Sequence, residues 1–320
     1  MKVLIVSSKT SGELSPFVKE QMDSLSSIGI HCSLFPITRK GLRGYWVHYA
    51  LLKKVIRKER PDLIHAHYGL SGLLANLQRK VPVITTFHGS DVNNKKVRWI
   101  SHITAYLSSH NIYVTEQLKQ LARNDHGTVI PCGVDISIFH PRSMSEAKKK
   151  MNLDPAKVYV LFCSRFDNPV KNAKLAQEAL KLVQSRLPMK IELLELKQFT
   201  RQQVNHLLNA SHCLLMTSFS EGSPQVVKEA LAANRPVVST AVGSVRGLIL
   251  GVAGCKLVDP SPEAVSRGIE ESIHYSMRYG ANQGRLKVKA KLLDLEQTAF
   301  RIKKVYNHVL SAVHTKQQTL

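Results

Sequence analysis

The residues best suited to chemistry cluster between Ser218 and Val245, where Glu221 and Glu229 flank a turn and a helix start. The turn reads Ser220-Glu221-Gly222-Ser223-Pro224. Pro224 suits a first helical position, with φ already fixed and no N–H to leave unpaired, and Ser223 before it suits an N-cap. The free N–H groups and positive dipole end of such a helix make an anion site. Two acids have no place beside a bare phosphate, but an ionised carboxylate is a pure acceptor and suits hydroxyl groups. A diphosphate set between two hydroxyl-rich sugars would use the helix start and both glutamates. Singly, either glutamate is an ordinary turn or helix-surface acid; the whole stretch is what points to a ligand.

Other residues fit the same chemistry. Arg165, at the end of an apolar run, and Lys171, opening the next helix, form a paired cation site: the guanidinium forks onto two oxygens and the ammonium acts as a point charge. His88 ends another apolar run beside Gly89, a position open to a cleft. Asp91 is placed either to touch a ligand or to cap the following helix. His65 and His67 share one face of a strand; with no third ligand nearby in sequence, they read as a satisfied strand-end pair and no metal is expected.

Positioning these groups takes strands that end at one edge of a sheet. Cys213–Met216 feeds the central turn, a helix runs on to about Ala233 with Asn234 to close it, and Pro236–Thr240 is the next strand, so the stretch is a βαβ unit. In open α/β sheets ligands bind at the carboxyl edge. Val3–Val6, His31–Ile37, Asp62–His67, Val81–Phe87, Asn111–Val114 and Thr128–Pro131 are further strand-like runs, and Val158–Cys163 opens a second series. The first βα unit is Rossmann-like but carries no GxGxxG, so no dinucleotide is indicated. Tyr45–Arg57 is a helix with Lys53, Lys54 and Arg57 beside Trp46 and Tyr49. It reads either as a membrane-surface element or as a packed helix with a solvated charged face.

Phe219-Ser-Glu-Gly-Ser-Pro, then Glu229-Ala and Pro236-Val-Val-Ser-Thr, resembles the E-x7-E signature of glycosyltransferase family 4. Cys132-Gly-Val-Asp followed by Phe139-His-Pro resembles that family's interdomain crossover. The resemblance extends over most of the chain and implies a GT-B fold: two Rossmann-like, doubly wound parallel-sheet domains facing a central cleft. The expected domains are 1–140 on the acceptor side and 155–295 for the nucleotide sugar, with a C-terminal helix of about 300–320 packing back on the first. The resemblance also implies a retaining, metal-independent hexosyltransferase that uses a nucleotide-diphosphate sugar, UDP-linked by preference, as donor substrate and no cofactor. Arg165 and Lys171 would bind the diphosphate with Gly222, Ser223 and Pro224. Glu229 would hold ribose hydroxyls, while Glu221 and His88 would face the transferred sugar. Gly12 stands where the family usually has two glycines approaching the donor phosphate. Ala241-Val242-Gly243-Ser244 departs from the family's paired glycines. The chain is a shortened variant, with one strand and connection fewer before Cys213 than relatives usually carry. The expected acceptor is a glycan or lipid-linked intermediate of cell-surface polysaccharide synthesis.

Composition bounds this reading. The 320 residues carry a net charge of +22, spread through both halves, which favours anionic partners such as acidic membrane, nucleic acid or a polyanionic substrate. No RNA-module signature is present, so nucleic acid is not expected. Five cysteines, an odd number at wide spacing, fit reduced thiols and a cytoplasmic location. No apolar run spans a bilayer, so any membrane contact would be peripheral, on the inner face. The competing readings are a non-catalytic GT-B partner subunit and a basic nucleic-acid-binding protein.

Overall fold

The computed structural model describes residues 1–9, 14–39, 41–122 and 126–318. The chain forms two units, Met1–Gly133 with Leu295–Leu320, and Val134–Asp294. In the first unit the elements run β1 (Lys2–Ser8), α1 (Pro16–Ser27), β2 (His31–Ile37), α2 (Gly41–Glu59), β3 (Leu63–His67) and α3 (Gly69–Asn76). They continue with β4 (Val83–Phe87), α4 (Ser90–Asn93), α5 (Arg98–Leu107), β5 (His110–Tyr113), α6 (Glu116–Ala122) and β6 (Gly127–Val129). The second unit comprises α7 (Met144–Lys150), β7 (Val158–Phe162), a 3-10 turn (Pro169–Lys171), α8 (Ala173–Arg186), β8 (Ile191–Glu195) and α9 (Arg201–Ala210). There follow β9 (Cys213–Met216), α10 (Gln225–Ala232), β10 (Val237–Thr240), α11 (Val245–Ile249), β11 (Lys256–Val258), α12 (Pro262–Tyr279) and α13 (Gly284–Ala290). The last helix, α14 (Leu295–Gln318), belongs to the first unit.

Both sheets are parallel throughout. The first has strand order β2-β1-β3-β4-β5-β6 and the second β11-β10-β9-β7-β8. Strands β3, β4, β7, β9 and β10 are buried at every position, as expected of parallel strands covered by helices on both faces. The second unit packs one core around Leu161, Leu214, Val238 and Ile269. In the first unit, α14 supplies Ala299, Ile302, Val305 and Tyr306 to the core formed by Val3, Ile5, Val18 and Ile84. All five cysteines are free thiols.

Helix α3 carries no clear sequence signal. Gly69 and Gly72 each weaken a helix by about 1 kcal/mol relative to alanine. The fold uses them for close approach: a Cβ at Gly72 would lie 2.5 Å from Thr104 Cγ2 and 2.6 Å from Thr85 Cγ2. Helix α9 begins at a capping box, in which Thr200 accepts from the Gln203 N–H and the Gln203 side chain returns to the Thr200 N–H.

Buried imidazoles tie the first unit together. His65 Nδ1 lies 2.6 Å from the Tyr306 hydroxyl and its Nε2 lies 2.7 Å from Thr86 Oγ1, so β3 is joined to both α14 and β4. We expect Tyr306→Phe to leave His65 Nδ1 unpaired and to cost about 1–3 kcal/mol, seen as a lower urea midpoint by circular dichroism. Burial lowers the His67 pKa to about 3 and that of His212 to about 4, and holds His65 well below the ordinary value. The folded chain therefore keeps these rings neutral while the unfolded chain protonates them near pH 6.5. Their contribution to stability is complete above that pH and is lost as pH falls toward 3. Urea titrations across this range should show the decline, and His67→Gln should reduce its slope by the equivalent of one proton.

Candidate functional site

In the second unit Arg165 and Lys171 follow β7, Glu221, Gly222, Ser223 and Pro224 follow β9, and Glu229 lies in α10. The chain past β9 is pinned by its neighbours. Thr217 Oγ1 donates to the carbonyls of Lys171 and Asn172, at 3.0 and 2.9 Å. The Phe219 N–H donates to the Val170 carbonyl at 2.9 Å, and Thr240 Oγ1 donates to the Ser218 carbonyl at 3.0 Å. These bonds join the turn bearing Lys171 to the loop bearing Glu221. Lys171 Nζ donates to Glu221 Oε1 at 2.6 Å, with the two side chains 19% and 13% exposed. Both are thus largely withdrawn from water, and each is the other's counter-charge.

The loop 220–224 rests on a second loop after β10. The Ser244 N–H donates to the Gly222 carbonyl at 2.9 Å. Gly243 has φ +52°, and a Cβ there would sit 2.2 Å from the Gly222 carbonyl oxygen. The single glycine of Ala241–Ser244 thus stands where close approach demands one. Ser223 does not cap the helix as expected. Its hydroxyl accepts from Ser244 Oγ at 3.3 Å, Pro224 with ψ 119° is the N-cap, and α10 starts at Gln225. The physical reason is that the Gly222–Ser244 contact holds the turn against the loop after β10, which leaves the serine facing that loop.

Glu229, in the second turn of α10, is 2% exposed and accepts from Arg201 Nη2 at 2.7 Å. The Arg201 guanidinium lies 4.6 Å from the Phe139 ring centroid, a cation–π contact that fixes its plane. Neither Arg201 nor Phe139 stood out as a partner of Glu229 in the sequence, and at 28 residues of separation no local pattern links Arg201 to it. Arg165 forks onto both carboxylate oxygens of Asp167 in an exposed pair, and Asp167 too is a partner the residue types alone did not single out. Thus Lys171, Glu221 and the 222–224 loop come together, while Arg165 and Glu229 are each held by another residue. Gly12 lies outside the described residues.

In the first unit His88 follows β4 and is half-buried among aromatic rings. Phe17 and Tyr68 lie 4.7 and 4.6 Å from it by ring centroids, and His67 stacks at 5.2 Å. His67 Nδ1 is 3.0 Å from His88 Nε2, and Cys132 Sγ is 3.6 Å from His88 Nδ1. His67 Nε2 is buried with no partner among the described residues. An orphaned N–H is rarer in folded proteins than an under-used acceptor. We therefore assign the proton to His67 Nδ1, donating to His88 Nε2. Asp91 neither caps α4 nor reaches outward. Its carboxylate accepts from the N–H groups of His88, Gly89 and Gly69 at 3.2, 2.9 and 3.2 Å, so it shapes the loop that carries His88. Burial raises the Asp91 pKa, and these N–H bonds oppose the rise. Tyr68 has φ 71° and ψ 149°, a backbone region almost confined to glycine, directly beside His88.

The model of Glycosyltransferase Family 4 matches residues 2–138, and that of Glycosyl transferases group 1 matches residues 191–274. A putative teichuronic acid biosynthesis glycosyltransferase, TuaC of Bacillus subtilis, is 28% identical over 258 residues, 70% of this chain. The match spans 65% of the length of TuaC. The D-inositol 3-phosphate glycosyltransferase of Pseudarthrobacter chlorophenolicus is 23% identical over 332 residues, covering 78% of this chain and 79% of that protein. Among solved structures, sucrose-phosphate synthase from Thermosynechococcus elongatus superposes with a TM-score of 0.79 at 16% identity, over 98% of this chain and 100% of that one. Anabaena HepE in complex with UDP-glucose superposes with a TM-score of 0.73 at 15% identity, over 96% and 100%. At such identity the structures speak for the fold alone. With one model on the first unit and the other inside the second, the chain belongs to the family 4 / group 1 glycosyltransferases, with two parallel-sheet Rossmann-like domains of the GT-B type.

Proposed function

We propose that this chain transfers a sugar from a nucleotide-diphosphate sugar, UDP-linked by preference, to a glycan or lipid-linked acceptor with retention of anomeric configuration. The observation that carries the proposal is the Lys171–Glu221 pair, 2.6 Å apart and mostly buried on a loop that backbone bonds hold in place. A withdrawn cation and carboxylate set side by side match a ligand with a phosphate next to a hydroxyl-bearing ring.

The diphosphate would take over Lys171 and draw Arg165 from its exposed partner Asp167. The N–H groups at the start of α10 add fixed donors. Together these stabilise charge on the leaving diphosphate without reorganisation at the moment of reaction, so the chemistry needs no metal. Glu229 accepts from ribose hydroxyls, and Arg201, already bonded to it, keeps the carboxylate oriented. Glu221 and His88 are assigned to the transferred sugar. The likeness to TuaC supports an acceptor in surface-polysaccharide assembly, and the HepE complex supports UDP-glucose among the donors to try first.

Lys171→Ala and Glu229→Gln should each lower kcat/KM by about 10²–10³, with an unchanged circular dichroism spectrum. Wild-type turnover in both variants would reject the assignment. EDTA should leave the rate unaltered. The matching donor nucleotide at about a hundred times its Kd should stabilise the protein by about 2.7 kcal/mol, read as a rise in Tm, while nucleotides of the wrong base should not.

A further inference from the structure

The first unit holds a second cluster of titratable groups that the sugar-transfer reading does not use. Beside β5, β6 and α14 lies a groove of about 310 Å³, lined by His110, Thr128, Arg301, Lys304, Val305 and His308 among others. Arg301, Lys304, Val305 and His308 recur at spacings of three and four residues, so one face of α14 supplies them. The rings of His110 and His308 stand edge to face, with centroids 6.2 Å apart. His110 Nε2 lies 2.9 Å from Thr128 Oγ1, and Arg301 Nη2 donates to the Val129 carbonyl at 2.7 Å.

Among the described residues no carboxylate lines this groove, and α14 carries no acid after Glu296. Burial lowers the His110 pKa, and the positive neighbours His308, His126 and Lys119 lower it further. Burial also lowers the pKa of Arg301. A guanidinium has several N–H donors to place, and among the described residues Arg301 bonds only the Val129 carbonyl. Positive groups gathered without an acid repel one another. An anion with several oxygens relieves that repulsion and takes up the spare donors. The groove is remote from the His88 loop. In the β4–β5 register His110 pairs with Ile84 near the amino end of β4, whereas His88 follows that strand's carboxyl end. The intervening strand separates them by roughly 13 Å.

We propose that this groove binds a doubly charged phosphate group, as inorganic phosphate or a small phosphate monoester, and holds it more tightly once its histidines are protonated. Arg301 offers a planar fork of donors, Lys304 a point charge on a long stem, and the two imidazoles further N–H groups. An anion beside His110 and His308 favours their charged forms. Binding therefore takes up protons and strengthens as pH falls through the histidine range. The site uses neither Lys171 nor His88, so it stands or falls without the sugar-transfer reading.

Sulfate is the probe for the pH dependence, because it keeps both charges where phosphate itself titrates. In the full chain at constant ionic strength, the NMR ring-proton resonances of His110 and His308 should shift as sulfate or inorganic phosphate is added. Their loss in His110→Gln and His308→Gln identifies them. The sulfate Kd read from these shifts should fall about tenfold from about pH 8 to about pH 6. Lys304 and His308 are exposed, so replacing them spares the core. Lys304→Ala should raise the Kd about tenfold with an unchanged Tm, and His308→Gln should flatten the pH dependence. Lys171→Ala should leave the shifts as they are. The proposal is overturned if neither resonance moves, if chloride moves both as far as sulfate does, or if Lys304→Ala binds sulfate as well as wild type. It is equally overturned if a single-stranded oligonucleotide moves them and sulfate does not, which would assign the groove to a polymer.

Discussion

Parallel sheets covered on both faces leave polar chemistry nowhere to go except the strand ends, and this constraint orders the whole molecule. Strands β7, β9 and β10 are closed to water along their length. The turns that leave them must still satisfy their backbone groups, and here they do so on one another: Phe219 on Val170, Thr217 on Lys171 and Asn172, Ser244 on Gly222. The loop around Glu221 is therefore held by its backbone and not by the charge it carries. That separation matters, because the Lys171–Glu221 contact can be broken without dismantling the loop.

The three ion pairs differ in what they resist. Arg165–Asp167 is exposed, and such pairs contribute about 0–1 kcal/mol, so Arg165 is easily redirected. Lys171–Glu221 and Arg201–Glu229 are more enclosed, and removing one member strands a charge in a poorly hydrated place. Pairs of this kind stabilise a fold little compared with an apolar substitute, yet they keep charged groups in a poorly hydrated place. The Phe139 ring beneath Arg201 adds to that readiness by limiting the planes the guanidinium can occupy.

In the first unit the same constraint produces a line of imidazoles. Histidine in a fully buried strand must find partners, and His65 finds them in Tyr306 and Thr86. His67 turns to His88, and Asp91 fixes the backbone beneath His88. The orientation of His88 thus depends on a neighbouring strand, and the seating of that strand depends on the final helix of the chain.

The sequence by itself determined what repeats or is local. Continuous apolar runs announced the parallel strands, with Cys213–Met216 matching β9 residue for residue, and Pro224 and Asn234 marked the ends of α10 within a residue or so. The stretch holding Glu221 and Glu229, and the cation pair Arg165 and Lys171, pointed to hydroxyl and phosphate chemistry, while the role expected of His88 came from the resemblance to the family. Tertiary structure alone decided the partners. Arg201 reaches Glu229, Tyr306 reaches His65, and Ser223 faces Ser244 instead of its own helix, because each contact is made by chain segments brought together only when the sheets close. Helix α3 is not legible locally for the same reason. Gly69 and Gly72 lower local helix propensity, and only the packing against Ser101, Thr85 and Thr104 shows why glycine is needed there. Spacing along a chain specifies the face a residue takes; what stands opposite that face is settled by the fold.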